Sequence, residues 1–319
     1  MSIEICPVIQ AAELLKLYKS SDLVIFDATD GENAKSNYDE KHLEGAIYVN
    51  LSTQLAEIKN DVAIGGRHPL PKIENFAETL SKLGISSKSQ VVIYDDKNGA
   101  NAAARFWWML KSIGHEKVQV LNGGFQEAIK INFPTSSTTE TNAPVLTPGQ
   151  SPGPGFNSGP GFNSGPGFSP GPGFSPGPGF HPRGTGNYQT DHWILQIADI
   201  NEVEKVSQDK NHIVIDVRSF ERYNGETEPI DLIAGHIPGA INIPFTENLD
   251  KNGLFLSPNE LKEKYTKIFG NVKSENIIVH CGSGVTACHT LLAIAYANLE
   301  IPKLYVGSWS EWSRNKKVI

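Results

Sequence analysis

The chain repeats itself, and that repetition limits its fold more than any other feature. A strand-like run, LVIFDA (23–28), leads through a polar stretch to KHLEGAIYVNL (41–51), and HIVIDV (212–217) leads the same way to AGHIPGAINIP (234–244). Sliding one onto the other superposes His42 on His236, Gly45 on Gly239 and Ala46 on Ala240. Further on, QVVIYDD (90–96) precedes helical NAAARFWWMLKSIG (101–114) and then VQVLNGGFQEAIK (118–130). Its counterpart is NIIVHCGSGVTACHTLLAIAYANL (276–299), followed by KLYVGSWSEW (303–312). Short β-rich runs alternating with amphipathic helical runs predict an α/β chain with a parallel sheet wrapped by helices in each half. A length of 319 residues also favours two cores over one.

The composition breaks sharply between the copies. Residues 151–180 read SPGPGF NSGPGF NSGPGF SPGPGF SPGPGF, without a charge. Gly does not recur at every third position, which excludes a collagen helix. Pro and Gly block helix and ladder alike, and one Phe in six residues cannot build a core. The expected organisation is therefore 1–140, a low-complexity linker over 141–190, and 191–319. A coil of thirty residues reaches on the order of 30 Å, so the halves can still pack together. A sharper reading makes the Phe-studded segment a docking site for another protein.

Hydrophobic content of 39% with 20% charged residues is that of a soluble globular protein. A net charge of −7 argues against nucleic acid or an anionic membrane surface as main partner. No apolar run approaches the length of a spanning helix, and the N-terminal stretch lacks secretory and transit patterns. Three scattered cysteines, Cys6, Cys281 and Cys288, make no disulfide framework. These features predict a reducing, intracellular compartment: the cytoplasm, with the mitochondrion left open. No cluster has metal-ligand spacing and no nucleotide fingerprint appears, so neither metal nor cofactor is expected.

In 277-IIVHCGSGVTACHTLLAIAY-296, a buried strand runs into Cys281, a glycine-bearing loop, and a helix from Thr286. The C-terminal end of a strand in an open α/β sheet is where chemistry is found. Gly282 and Gly284 let successive N–H groups turn toward one point, and the helix N-terminus behind them adds to the field. Such a cradle favours the thiolate, which is the nucleophile. Ser283 is close enough in sequence to reach the sulfur or its substrate. The alternative is an inert buried Cys. Cys-based phosphatases begin similarly, but they need an Arg at the far end of the loop to clamp phosphate. The sixth residue after Cys281 is Ala287, and no Arg occurs before Arg314. The position matching Cys281 in the first half is Asp95, so only the second half can do thiol chemistry.

The loop CGSGVTA, the motif GHIPGAINIP, the WW of ARFWWML and the C-terminal GSWSEW together resemble the two-domain rhodanese-type sulfurtransferases across nearly the whole chain except the repeats. CGSGVT is similar to the loop of 3-mercaptopyruvate sulfurtransferases, whereas thiosulfate sulfurtransferases tend to carry two basic residues after the Cys. The resemblance implies two tandem rhodanese-like domains, the first non-catalytic, and a Cys281 persulfide in the cradle of Gly282, Ser283, Gly284, Val285 and Thr286. The implied partners are a small-molecule sulfur donor and a thiol acceptor such as thioredoxin or glutathione, with cyanide serving in an assay.

The family's carboxylate-binding Arg falls on Arg222 within DVRSFERYNGETEP (216–229), leaving Arg218 and Asp216 structural. A second family Arg lies nine residues on, where this chain has Asp231, so that clamp is expected to be missing. The family's first-domain His falls on His68 in GGRHPLP (65–71), with Arg67 beside it as a compensating cation. The acid of the family's triad falls on Ser52, which puts a Cys281–Ser283–Asp relay in doubt. His42 and His236 read as turn-holding residues, Cys288 as buried and apolar with a resolving disulfide as its rival, and Trp107, Trp108, Trp309 and Trp312 as core or interface aromatics. Two rival functions stay open: a thiosulfate:cyanide sulfurtransferase, and a catalytically weakened protein that binds partners through its repeats.

Overall fold

The computed structural model describes residues 5–140, 188 and 190–315; the repeats at 151–180 and most of the expected linker lie outside the described residues. The first half runs β1 (Val8–Ile9), α1 (Ala11–Leu17), β2 (Leu23–Asp27), α2 (Ala34–Glu40), β3 (His42–Leu43), β4 (Ala46–Tyr48), α3 (Leu51–Gln54), α4 (Ile73–Lys82), β5 (Gln90–Tyr94), α5 (Ala102–Lys111), β6 (Val118–Leu121), α6 (Gly124–Lys130) and β7 (Thr135–Ser136). The second runs β8 (Ile197–Ala198), α7 (Ile200–Val206), β9 (Ile213–Asp216), α8 (Phe220–Tyr223), β10 (Ile241–Asn242), α9 (Pro258–Phe269), β11 (Ile277–His280), α10 (Thr286–Tyr296), β12 (Lys303–Tyr305) and α11 (Ser308–Asn315).

Each half holds a parallel sheet, ordered β1-β6-β5-β2-β4 in the first and, read in the same direction, β8-β12-β11-β9-β10 in the second. The repetition reaches the side chains. Tyr38 donates its hydroxyl hydrogen to Ala46 O at 2.7 Å, while His42 stacks on Tyr38 with ring centroids 4.0 Å apart. Tyr223 likewise donates to Ala240 O at 2.6 Å, and His236 stacks on it at 4.0 Å. These histidines hold the same turn in both halves.

All five residues of β2 and all four of β11 are buried, as expected of parallel strands covered on both faces. Two helices are apolar almost all round, the mark of a helix with no solvent side. These are α5, buried from Ala102 to Leu110, and α10, buried from Ala287 to Ile294. They pack against each other across the junction of the halves. One hydrophobic core therefore runs from Phe26 and Trp108 through to Leu291 and Val279. Burying a side chain the size of Phe106 or Leu291 stabilises by about 1.5–3 kcal/mol. Before β8 the chain lies against the first half: Ile194 N–H donates to Ser112 O at 2.6 Å, and Trp193 stacks on Trp108 at 6.3 Å.

Candidate active site

Cys281 follows β11, which lies between β9 and β12, and it is only 2% exposed. The turn into α11 pins its loop. Cys281 N–H donates to Ser308 Oγ at 3.2 Å, Trp309 N–H to Cys281 O at 3.1 Å, and Ser310 N–H to Gly282 O at 2.9 Å. Gly284 has φ +72, and a Cβ there would lie 2.5 Å from Val306 O, so this turn requires glycine. Val285 immediately precedes α10 and Thr286 opens it. Among the described residues, the amides of Ser283, Gly284, Val285 and Thr286 have no backbone or side-chain acceptor outside the helix ladder. Amides in that condition at a helix N-terminus favour an anion.

The first half answers the same geometry with a built-in anion. Asp95 Oδ1 accepts from the amides of Lys97 and Gly99 at 2.9 and 2.8 Å, and Oδ2 from those of Asn101 and Ala103 at 3.0 and 3.2 Å. Burial pushes this carboxyl up to about 6, against the pull of the four amides. No thiol stands here.

Two guanidinium groups crowd the residue after the thiol. A Cβ on Gly282 would lie 2.9 Å from Arg67 Nη2 and 3.5 and 3.6 Å from the Nη atoms of Arg222. Arg67 comes from the first half, and Asp231 holds it through Nε at 3.1 Å and Nη2 at 3.4 Å. Asp231 also lies 3.5 Å from Arg222 and 3.5 Å from Arg314. Asp231, which the sequence placed in the register of the family's second Arg, thus faces a cation from the other half. Glu228 takes Arg222 Nη2 at 2.6 Å and Arg218 Nη1 at 3.3 Å. Burial alone would raise Glu228, but Arg222 and the amides of Asp231 and Ile230 hold it below the usual carboxylate range. Arg218 is paired with Asp216 at 2.6 Å and lies over Trp309, a structural arrangement.

His68 Nδ1 lies 2.9 Å from Ser283 Oγ, joining the halves at the loop. Burial, then the charges of Arg67 and Arg105, push His68 down to about 4, so it is neutral at physiological pH. Ser52 is exposed on α3, and no carboxylate among the described residues is bonded to His68. The arrangement is a dyad of His68 and Ser283. Cys288 is buried, donates to Gly284 O at 3.3 Å and is pushed by burial up to about 12. Cys6 is exposed and remote in the sequence.

Arg105 was not anticipated as part of this site. It is 0% exposed on α5, and its guanidinium donates to Gly284 O and His68 O, both at 3.1 Å. The available signal was a cation within the otherwise apolar run AAARFWWML. Among the described residues no His/Cys/Asp/Glu group is arranged to hold a metal, and no helix is long and apolar enough to cross a membrane.

A Rhodanese-like domain model matches residues 10–130 and again 199–315. A probable 3-mercaptopyruvate sulfurtransferase of Pseudomonas aeruginosa is 33% identical over 308 residues, 95% of this chain and 93% of that protein. A thiosulfate sulfurtransferase of Mus musculus is 30% identical over 288 residues, 88% of this chain and 80% of that one. Among solved structures, the 3-mercaptopyruvate sulfurtransferase from Leishmania major shares the fold, with a TM-score of 0.72 at 24% identity over 96% of this chain and 74% of that chain. With two matched domains and relatives that span almost its whole length, the chain belongs to the rhodanese family and is a sulfurtransferase of the 3-mercaptopyruvate and thiosulfate type.

Proposed function

We propose that the chain moves a sulfane sulfur from 3-mercaptopyruvate to a thiol acceptor through a Cys281 persulfide, releasing pyruvate. The Cys281 thiolate attacks the substrate sulfur and an S–S bond forms. The C–S bond breaks, its electron pair stays on carbon as the pyruvate enolate, and protonation gives pyruvate. Ser283, two residues on and held by neutral His68, is the hydroxyl suited to deliver that proton. The loop amides stabilise the persulfide anion. An acceptor thiolate, from a small thiol such as glutathione or a protein such as thioredoxin, then attacks the outer sulfur and Cys281 leaves as thiolate.

The observation that carries the choice of donor is the charge beside Gly282. Four guanidinium groups, of Arg67, Arg218, Arg222 and Arg314, stand against the three carboxylates of Asp216, Glu228 and Asp231. Within that ion-paired network, outside which Arg105 binds the carbonyls of Gly284 and His68, one positive charge is left over, which suits the single carboxylate of mercaptopyruvate better than the dianion thiosulfate. Arg67 and Arg222 would hold that carboxylate. The rival donor, thiosulfate, rests on the same two cations and on the relative that carries that name.

The test is steady-state pyruvate release from mercaptopyruvate beside thiocyanate formation from thiosulfate and cyanide, for the wild type and Cys281→Ser. A kcat/KM favouring mercaptopyruvate and abolished by the substitution is expected. Turnover with thiosulfate alone would transfer the assignment to that donor, and turnover surviving Cys281→Ser would remove the persulfide.

A further inference from the structure

Five arginines surround the Cys281 loop, and four of them pair with carboxylates. Arg105 is the exception. It has no solvent exposure, its two bonds go to neutral carbonyl oxygens, and its Nε has no partner. Among the described residues no carboxylate forms an ion pair with it. A guanidinium stays charged even when buried, and a buried charge without a counter-charge is costly. Burial weighs most on Arg105 and pulls it below its ordinary value; the groups acting the other way are the Cys288 and Cys281 sulfurs. Cys288 stays a thiol, since burial pushes it up to about 12. The other thiol, Cys281, stands three residues before the Gly284 carbonyl that Arg105 holds, in the same loop.

We propose that Arg105 is a positioning residue for the reaction: a buried guanidinium lent by the first half that fixes Gly284 and His68 together and provides the positive charge against which Cys281 ionises. The idea rests on Cys281 as the nucleophile but not on the identity of the donor. When Cys281 is a thiolate or a persulfide anion, the cation behind the loop has its counter-charge; when it is a thiol, the cation does not. The other charged or titratable groups about the loop have partners in the fold or are held neutral. Arg67 and Arg222 face Asp231 and Glu228, His68 is neutral, burial lowers buried His280, and Glu311 accepts from Gly65 N–H at 2.8 Å.

The rate of iodoacetamide alkylation of Cys281 against pH tests this, with the Cys281 peptide followed by mass spectrometry so that exposed Cys6 does not interfere. The full chain is used, as wild type, Arg105→Lys, Arg105→Gln and Arg105→Met, each checked for native circular dichroism. Arg105→Gln keeps N–H donors but removes the charge, so it carries the test if Arg105→Met does not fold. Loss of an opposite charge at close range is expected to move the half-maximal pH of alkylation up by about one unit or more, making the reaction about tenfold slower near neutral pH. The alkaline plateau should be unchanged, and Arg105→Lys should shift by less than half as much. A profile unmoved in folded Arg105→Gln would overturn the proposal, as would equal shifts for Lys and Gln. Alkylation needs no sulfur donor, so a shifted profile beside absent mercaptopyruvate turnover would count against the donor assignment alone.

Discussion

At Gly282, cations from opposite halves of the chain meet over one backbone position, and Asp231 decides where the first-half cation points. A charge-assisted hydrogen bond is worth about 1.5–3 kcal/mol. Arg67→Ala is therefore expected to raise KM for mercaptopyruvate on the order of 10–100-fold, with a smaller change in kcat, because the carboxylate it would bind does not react. Steady-state kinetics check this, and an unchanged KM would take Arg67 out of the substrate site. The sequence marked Arg67, His68 and Arg222 through their motifs, and Ser52 as the place where an acid was absent. It could not pair Arg67 with Asp231, because the two lie 164 positions apart and meet only when the halves dock. Arg105 carried no local signal beyond its charge, since its partners, the carbonyls of Gly284 and His68, look like any other backbone.

Helix α10 shows how an element can be legible in outline and opaque in detail. Its start at Thr286 and its apolar run were readable, as were the strands, because buried parallel strands are continuous apolar stretches. What the sequence did not reveal is His289, fully buried with neither ring nitrogen bonded and its ring stacked on Phe255 at 4.5 Å. Burial pushes this imidazole down to about 3 from the ordinary 6.5. Its folded value is depressed, so the unfolded chain takes up a proton that the fold refuses once pH falls through 6.5. The contribution is intact above that pH and is lost on acidification toward about 3. At pH 5 the loss is about 2 kcal/mol. His289→Phe is expected to raise the urea midpoint relative to wild type by more at pH 5 than at pH 8. An equal difference at the two pH values would show that His289 is not held neutral.

At the scale of the molecule, α5 and α10 make the two halves share one core, with Arg105 and the His68–Ser283 contact crossing the same junction. Calorimetry should show a single transition with equal calorimetric and van't Hoff enthalpies, whereas two resolved transitions would mean that each half is stable alone. The duplication was legible because both copies repeat a glycine turn and its histidine. That the stretch before β8 lies on the first half was not, since Trp193 finds Trp108 only in the folded chain. Asp95 gives this partnership its asymmetry. A charge tied to the chain by covalent bonds never departs, so the loop around it has one state to satisfy, while its twin, in the cycle proposed above, would have to accommodate thiol, thiolate and persulfide in turn. After the ancestral unit doubled, one descendant could specialise in holding still. The first half holds its own loop in one state and lends Arg67, His68 and Arg105 to the loop that has to change.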